Sequence, residues 1–524
     1  MPDDSTGDLV DRVRAGYAFD GPCLELGALV HDGAAVPDAS VCIPLSMLNR
    51  HGLVAGATGT GKTKTLQLMA EQLSAHGVPV FAADVKGDLS GLAAPGEPND
   101  KITARAAEVG QAWTGRACPV ELLALGGEGT GIPVRATMTS FGPTLLSKVL
   151  GLNDTQESSL GLVFHYADQA GLPLLDLKDL RAVGQHLLSD EGKAELKALG
   201  GLSSQTAGVI LRELVNFAAQ GADAFFGEPE LDVADLLRTT DDGRGVVTLL
   251  ELPQVQDRPV LFSTFLVWML AELFEELPEA GDLERPKLVF FLDEAHLLFR
   301  DASKACREAI TQTVRLIRSK GVGVYFVTQT PKDVHADVLA QLGNRVQHAL
   351  RAYTPDDAKA LKATARTFPD SPYDLEEVLT VLGTGEAVVT VLSENGAPTP
   401  VAWTRLPAPT SLRAPAPQEV LDGIVAASPL LGAYGQAVDR ESAYERLTAR
   451  AAAQAPVEAP TTVPSPVEED LGRLPESSTV PSGGGSVVEK ALANPALKSA
   501  MVAAGTVIGR EIARGIFGTR RRRR

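Results

Sequence analysis

The chain has 524 residues, 44% hydrophobic and 22% charged, which suits a globular protein with a large core shared among two or three domains. A formal net charge of −18 and a pI near 5.0 exclude indiscriminate coating of nucleic acid, but not a motor with a positive channel lining. No stretch reaches the ~18 uninterrupted apolar residues of a membrane span, the acidic start MPDDSTGDLVDRVR lacks a signal-peptide apolar core, and Cys23, Cys42, Cys118 and Cys306 form no C-x-x-C pair; the expectation is a cytoplasmic protein with reduced thiols and no stable membrane insertion.

In chain order, residues 1–50 read as a short N-terminal β region, with apolar runs such as VCIPLSML broken by Gly, Pro and Asp. Residues 51–142 begin an α/β core: strands are expected at Leu53–Ala55 and Val78–Ala83, followed by a hairpin in VELLALGGEGTGIPVRATMTSF. Residues 143–240 are too long for a simple crossover and read as an inserted helical subdomain. In its SSQTAGVILRELVNFAAQ segment, Val209, Leu211, Leu214, Val215 and Phe217 keep helical spacing. This insertion is either a packing elaboration or a contact surface for substrate or neighbour. Residues 241–410 complete the core, with strands expected at Val246–Leu252, Leu288–Leu292, Val322–Val327, Val346–Leu350 and Ala387–Leu392, and Pro400–Arg405 closing an edge. Near-continuous apolar strands alternating with helices predict a mainly parallel sheet buried on both faces. A helical extension spans 411–452, a Pro/Ser/Gly-rich disordered linker 453–486, and a weakly amphipathic helix with five terminal arginines 487–524. The arginines would bind DNA or an acidic membrane surface, or form a solvated tail.

Four motifs carry chemistry. Gly56-Ala57-Thr58-Gly59-Thr60-Gly61-Lys62-Thr63 fits the phosphate-loop pattern G-x-x-x-x-G-K-[ST] between a short apolar strand and a helical stripe of Leu66, Met69, Ala70 and Leu73. Its backbone N–H groups would cradle a triphosphate, with Lys62 on the β- and γ-phosphates and the Thr63 hydroxyl on Mg²⁺. KLVFFLDEAH ends a buried strand in Asp293, which would hold the metal's water shell, and Glu294, which would orient or deprotonate water. That second acid points to repeated ATP hydrolysis. GVGVYFVTQTP ends a strand in Thr328-Gln329, placing Gln329 between the acid pair and the phosphate. Arg345 just before a strand and Arg351 just after it would act at a nucleotide edge, Arg345 as an arginine given to a neighbouring subunit.

The order of GATGTGKT, the acid pair, the Thr-Gln ending and Asn344-Arg345 resembles the HerA/FtsK superfamily, and bacterial HerA-like proteins in particular, over residues 20 to 410. FAADVKGDLSGL, with Asp84, Lys86 and Gly87, is similar to the D-x-K-G segment of HerA-type ATPases. The resemblance implies a RecA-like phosphate-loop NTPase core, ATP with Mg²⁺, a homo-oligomer that is often a hexameric ring, duplex DNA as cargo and a nuclease partner. By motif position it assigns Lys62, Thr63, Asp293, Glu294, Gln329 and Arg345 the roles given above. A protein-moving motor and a nucleotide-dependent assembly switch remain alternatives.

Overall fold

The computed structural model describes residues 5–454 apart from 197–199, 282 and 301. The linker and terminal helix expected beyond residue 454 lie outside these described residues. Among them the strands, numbered in chain order, are β1 (Cys23–His31), β2 (Ala34–Pro44), β3 (Gly52–Ala55), β4 (Val80–Asp84), β5 (Val120–Leu125), β6 (Ile132–Val134), β7 (Val247–Glu251), β8 (Leu288–Leu292), β9 (Val322–Thr328), β10 (Asn344–Gln347), β11 (Glu386–Thr390) and β12 (Ala402–Arg405). They form a single sheet in the order β2-β1-β12-β11-β10-β3-β9-β8-β4-β7-β5-β6. From β10 to β6 every neighbouring pair is parallel, while β11, β12, β1 and β2 add an antiparallel flank.

Side-chain alternation explains why the central strands read as continuous apolar runs. Leu53, Phe81, Phe290 and Phe326 enter a core on one face; Val54, Val80, Phe291 and Val327 enter a core on the other. The first core is capped by the inserted helices and by the apolar helix Pro259–Glu276, through Leu160, Leu214, Phe262 and Trp268. The second is covered by helices Ser5–Gly16, Lys62–Ala75 and Gln418–Ala427, through Val13, Met69 and Leu421.

Four expectations change. The segment after β4 is not a hairpin, because β5 and β6 pair in parallel. The loop between them is rich in glycine, and Gly126, Gly127 and Gly129 take positive φ, which lets the chain double back and restart in the same direction. β12 does not close the sheet, since β1 lies outside it and β2 outside that; the strand starts only at Ala402 because Pro400 has no N–H to give a ladder. The core strand expected at Val346–Leu350 is shifted to Asn344–Gln347, so that Arg345 lies within it. Its ladder stops where β3 stops at Ala55 and turns into the phosphate loop. In the helix Ser204–Ala219, Ala207, Ile210, Leu214 and Phe217 are buried, whereas Val215 points to solvent.

Packing at β3 is tight enough to test: a Cβ added to Gly52 would overlap the ring of Tyr325 on β9. That ring is buried against Phe291, and its hydroxyl accepts from Asn344 Nδ2 at 3.1 Å. Gly52→Val is therefore expected to lower stability by about 1–3 kcal/mol in urea denaturation, as overpacked cores do.

Candidate functional site

The carboxyl ends of β3, β9, β8, β4 and β7 face one side of the sheet, the position where open parallel sheets bind ligands. β3 leaves the sheet at Gly56, whose N–H donates to Thr328 O at 3.2 Å, and Ala57 N–H donates to Ala349 O at 2.8 Å. The loop is thus tied to the strands on both sides. Its turn is closed by Thr60 Oγ1 to Ala57 O at 2.7 Å, and Gly61, at φ 122°, swings the chain into helix Lys62–Ala75. The first N–H groups of that helix have no intrahelical acceptor, so they point into the loop as anion donors. Lys62 Nζ lies across the loop, donating to Gly56 O at 2.7 Å and Ala57 O at 3.2 Å. Burial lowers its pKa, against the opposing charges of Glu294 and Asp293. Thr58 and Gly59 are exposed at the crest, and a Cβ built on Gly59 meets nothing within 4 Å.

Under the loop sits His348, a residue that sequence reasoning missed. It is fully buried, with Nε2 2.9 Å from Thr65 Oγ1 on the loop's helix and Nδ1 2.8 Å from Glu386 O at the start of β11. Burial drives its pKa down to about 4, so it is a neutral spacer rather than a cation for phosphate. Its only mark in the sequence is a polar residue in the middle of the stretch VQHAL. Asn344, read as part of the Asn-Arg signature, proves to be an internal knot. Its Nδ2 donates to Met47 O, His51 O and Tyr325 Oη, while Oδ1 accepts from Leu392 N–H.

β8 delivers Asp293 and Glu294 next to the end of β4. Asp293 Oδ1 accepts from Glu294 N–H at 2.9 Å; burial and the neighbouring carboxylate push its pKa up to about 7. Glu294 takes left-handed backbone angles, φ 47° and ψ 47°, which few non-glycine residues adopt. Its Oε1 is paired with Lys86 Nζ, and Oε2 lies 3.2 Å from His296 Nδ1 without hydrogen-bond geometry. Burial would raise its pKa, but Lys86, then His296 and Lys62, bring it below the usual carboxylate range. Asp84 accepts from the N–H groups of Lys86 at 3.3 Å, Gly87 at 2.8 Å and Leu89 at 2.7 Å, pinning the Asp84–Gly87 turn. Beside it, Glu251 at the end of β7 is buried; that burial and the charge of Asp84 raise its pKa to about 8, so it keeps its proton at neutral pH. For Mg²⁺ the site offers oxygen ligands from Asp293 and the Thr63 hydroxyl, the donor chemistry this ion takes.

The remaining predicted residues divide. Gln329 stands exposed just past the end of β9, the strand between β3 and β8. Arg345 is not brought to the loop: it pairs with Leu53 in mid-ladder and donates Nη1 to Thr367 Oγ1 at 2.6 Å. Arg351 is exposed two residues past Ala349, whose carbonyl holds the loop.

The family model described as helicase HerA-like C-terminal matches residues 31–524, and the chain belongs to that family. It is similar to the DNA double-strand break repair helicase HerA of Sulfolobus acidocaldarius, with 23% identity over 67% of this chain and 64% of the relative. It is also similar to a probable helicase of Methanocaldococcus jannaschii, with 30% identity over 27% of this chain and 28% of the relative. The chain thus matches less than two thirds of the length of either relative. Among solved structures, the bacterial conjugative coupling protein TrwB (TrwBdeltaN70) superposes with a TM-score of 0.51 at 14% identity, covering 78% of this chain and 95% of that one. This likeness establishes the shared fold.

The buried bridge through His348 yields a prediction. His348→Leu leaves the Thr65 hydroxyl and the Glu386 carbonyl without that partner, so stability is expected to fall by about 1–3 kcal/mol in chemical denaturation, and nucleotide affinity to fall with it.

Proposed function

We propose that this HerA-like family member is an ATP-hydrolysing motor that translocates duplex DNA. The observation that carries the reading is the arrival of a phosphate loop, a Thr-Gln pair and two adjacent acids at the ends of three neighbouring parallel strands, β3, β9 and β8. In this reading the loop amides and Lys62 bind the β- and γ-phosphates of ATP. Thr63 and Asp293 hold Mg²⁺, which when bound neutralises phosphate charge. Gln329 aligns a water molecule. Glu294 takes a proton from that water as its oxygen bonds to the γ-phosphorus and the bond to the β-phosphate oxygen breaks, the electron pair leaving with ADP. A pure assembly switch has little use for Glu294.

Duplex DNA as cargo is supported by the name of the Sulfolobus relative, a DNA double-strand break repair helicase. A ring of subunits, suspected to be a hexamer, would let the exposed Arg351 reach a neighbour's γ-phosphate. Arg351 suits that role better than Arg345, which its own subunit's Thr367 engages. A cytoplasmic location fits this work, and no helix among the described residues is long and apolar enough to cross a membrane. A nuclease partner would follow from a role in DNA-end processing.

Three experiments test the reading. Glu294→Gln should bind ATP with unchanged affinity while turnover drops by at least about 10²-fold, the scale of a lost general base; retained turnover would assign the base elsewhere. Turnover should rise with added duplex DNA, and mass in the presence of nucleotide should show a closed oligomer. Indifference to DNA together with a monomeric particle would refute the translocase. Arg351→Ala should lose turnover but keep ATP binding, and wild-type subunits added to the mixture should restore part of the rate.

A further inference from the structure

We propose that Lys86 is a positioning residue that holds Glu294 turned away from the phosphate loop, so that hydrolysis waits until the pair is parted. The inference rests on Glu294 being the general base. Strand order supplies the direction. β8 carries Glu294, with β9 and then β3 on one side and β4 on the other. Lys86 follows β4, so its ammonium engages the carboxylate from the β4 side of β8, the side away from β9 and β3.

Three features make this pair more than a neutralised charge. The turn that carries Lys86 is pinned by Asp84, which accepts three of its N–H groups, so the root of the Lys86 side chain is fixed beside β8. Glu294 is held with left-handed backbone angles that a non-glycine residue pays for in steric energy. The pair is also lopsided: the Lys86 side chain is 48% exposed and that of Glu294 only 6%. A competing anion from solvent therefore reaches the cation and not the base.

The groups around the carboxylate set its direction on release. His296 lies beside Oε2 on the turn after β8, Asp293 and Glu294 repel each other, and Lys62 is the other cation in range. Freed from Lys86, the carboxylate is attracted toward Lys62, on the side of the phosphate loop.

The test uses the full chain without DNA and measures kcat and KM for ATP, ADP affinity and the urea midpoint. Lys86→Met, which keeps the length but not the charge, should raise kcat about fivefold with KM little changed. Lys86→Arg, which keeps the cation, should return kcat to the restrained rate. Lys86→Met combined with Glu294→Gln should be as inactive as Glu294→Gln alone. If Lys86→Met binds ADP and unfolds normally yet turns over no faster, the proposal is overturned; so it is if the double variant keeps the gain. Should Lys86→Met fail to fold, Lys86→Gln takes its place, with a smaller rise expected and the same refuting outcome. Full turnover by Glu294→Gln alone would instead remove the general-base reading, which separates the two failures.

Discussion

Everything chemical in this protein hangs on the register of its parallel ladder. Ala55 on β3 is level with Thr328 on β9, Leu292 on β8 with Phe326 on β9, Ala83 on β4 with Leu292, and Asp84 with Glu251 on β7. Because β3 and β9 end level and β8, β4 and β7 end within two residues of them, the loop, the Thr-Gln pair, the acid pair and the Asp84 turn emerge side by side. A slip of one residue in any strand would turn its functional side chain to the other face. Burial on both faces prevents that slip, since each strand inserts alternate residues into two separate cores.

That burial creates an electrostatic difficulty. Asp84, Glu251, Asp293 and Glu294 crowd a region where charge is poorly solvated, and each is accommodated differently. Asp84 is satisfied by backbone amides. Glu251 keeps its proton, having nothing to neutralise it. Glu294 stays ionised through Lys86. Asp293 accepts one amide and is left with a pKa near 7, an unfavourable state that a bound cation would relieve. The proposed division, metal affinity on Asp293 and base chemistry on Glu294, is thus supported by their surroundings as well as by their order in the sequence.

The parts legible in the sequence were those fixed by short-range pattern. A glycine-rich loop followed by Lys62, and an apolar strand ending in Asp293-Glu294, are each specified within ten residues or so. The parts that escaped depend on distant segments. Nothing local in VQHAL says that His348 will lie between Thr65 and Glu386, or that Asn344 will bond to residues 47, 51 and 325. The parallel pairing of β5 with β6 was hidden for another reason. A glycine-rich loop between two apolar runs is also the mark of a hairpin, and the local sequence does not separate the two directions of pairing. Arg345 was misplaced by a strand boundary, the least certain feature of any pattern, and two residues moved it from a rim to mid-ladder.

The two sides of the site are built with different stiffness. The phosphate loop is held by many backbone bonds: Gly56 to β9, Ala57 to Ala349, and Thr60 O accepting from Gly385 N–H at 3.0 Å ahead of β11. Arg105 on the helix Asp100–Val109 fixes that last segment in turn, donating to the carbonyl oxygens of Gly385, Leu406 and Thr384. Such a cradle is preorganised and needs little rearrangement to receive phosphate. The acid side has no equivalent scaffold for the Glu294 carboxylate, which is held by one lysine on a flexible stem and strained at its own backbone. When the protein changes state, the cheapest motion is thus at the base and not at the binding loop. Nucleotide affinity and hydrolytic competence can then vary independently, which would let the ATPase proposed above hold nucleotide before hydrolysing it.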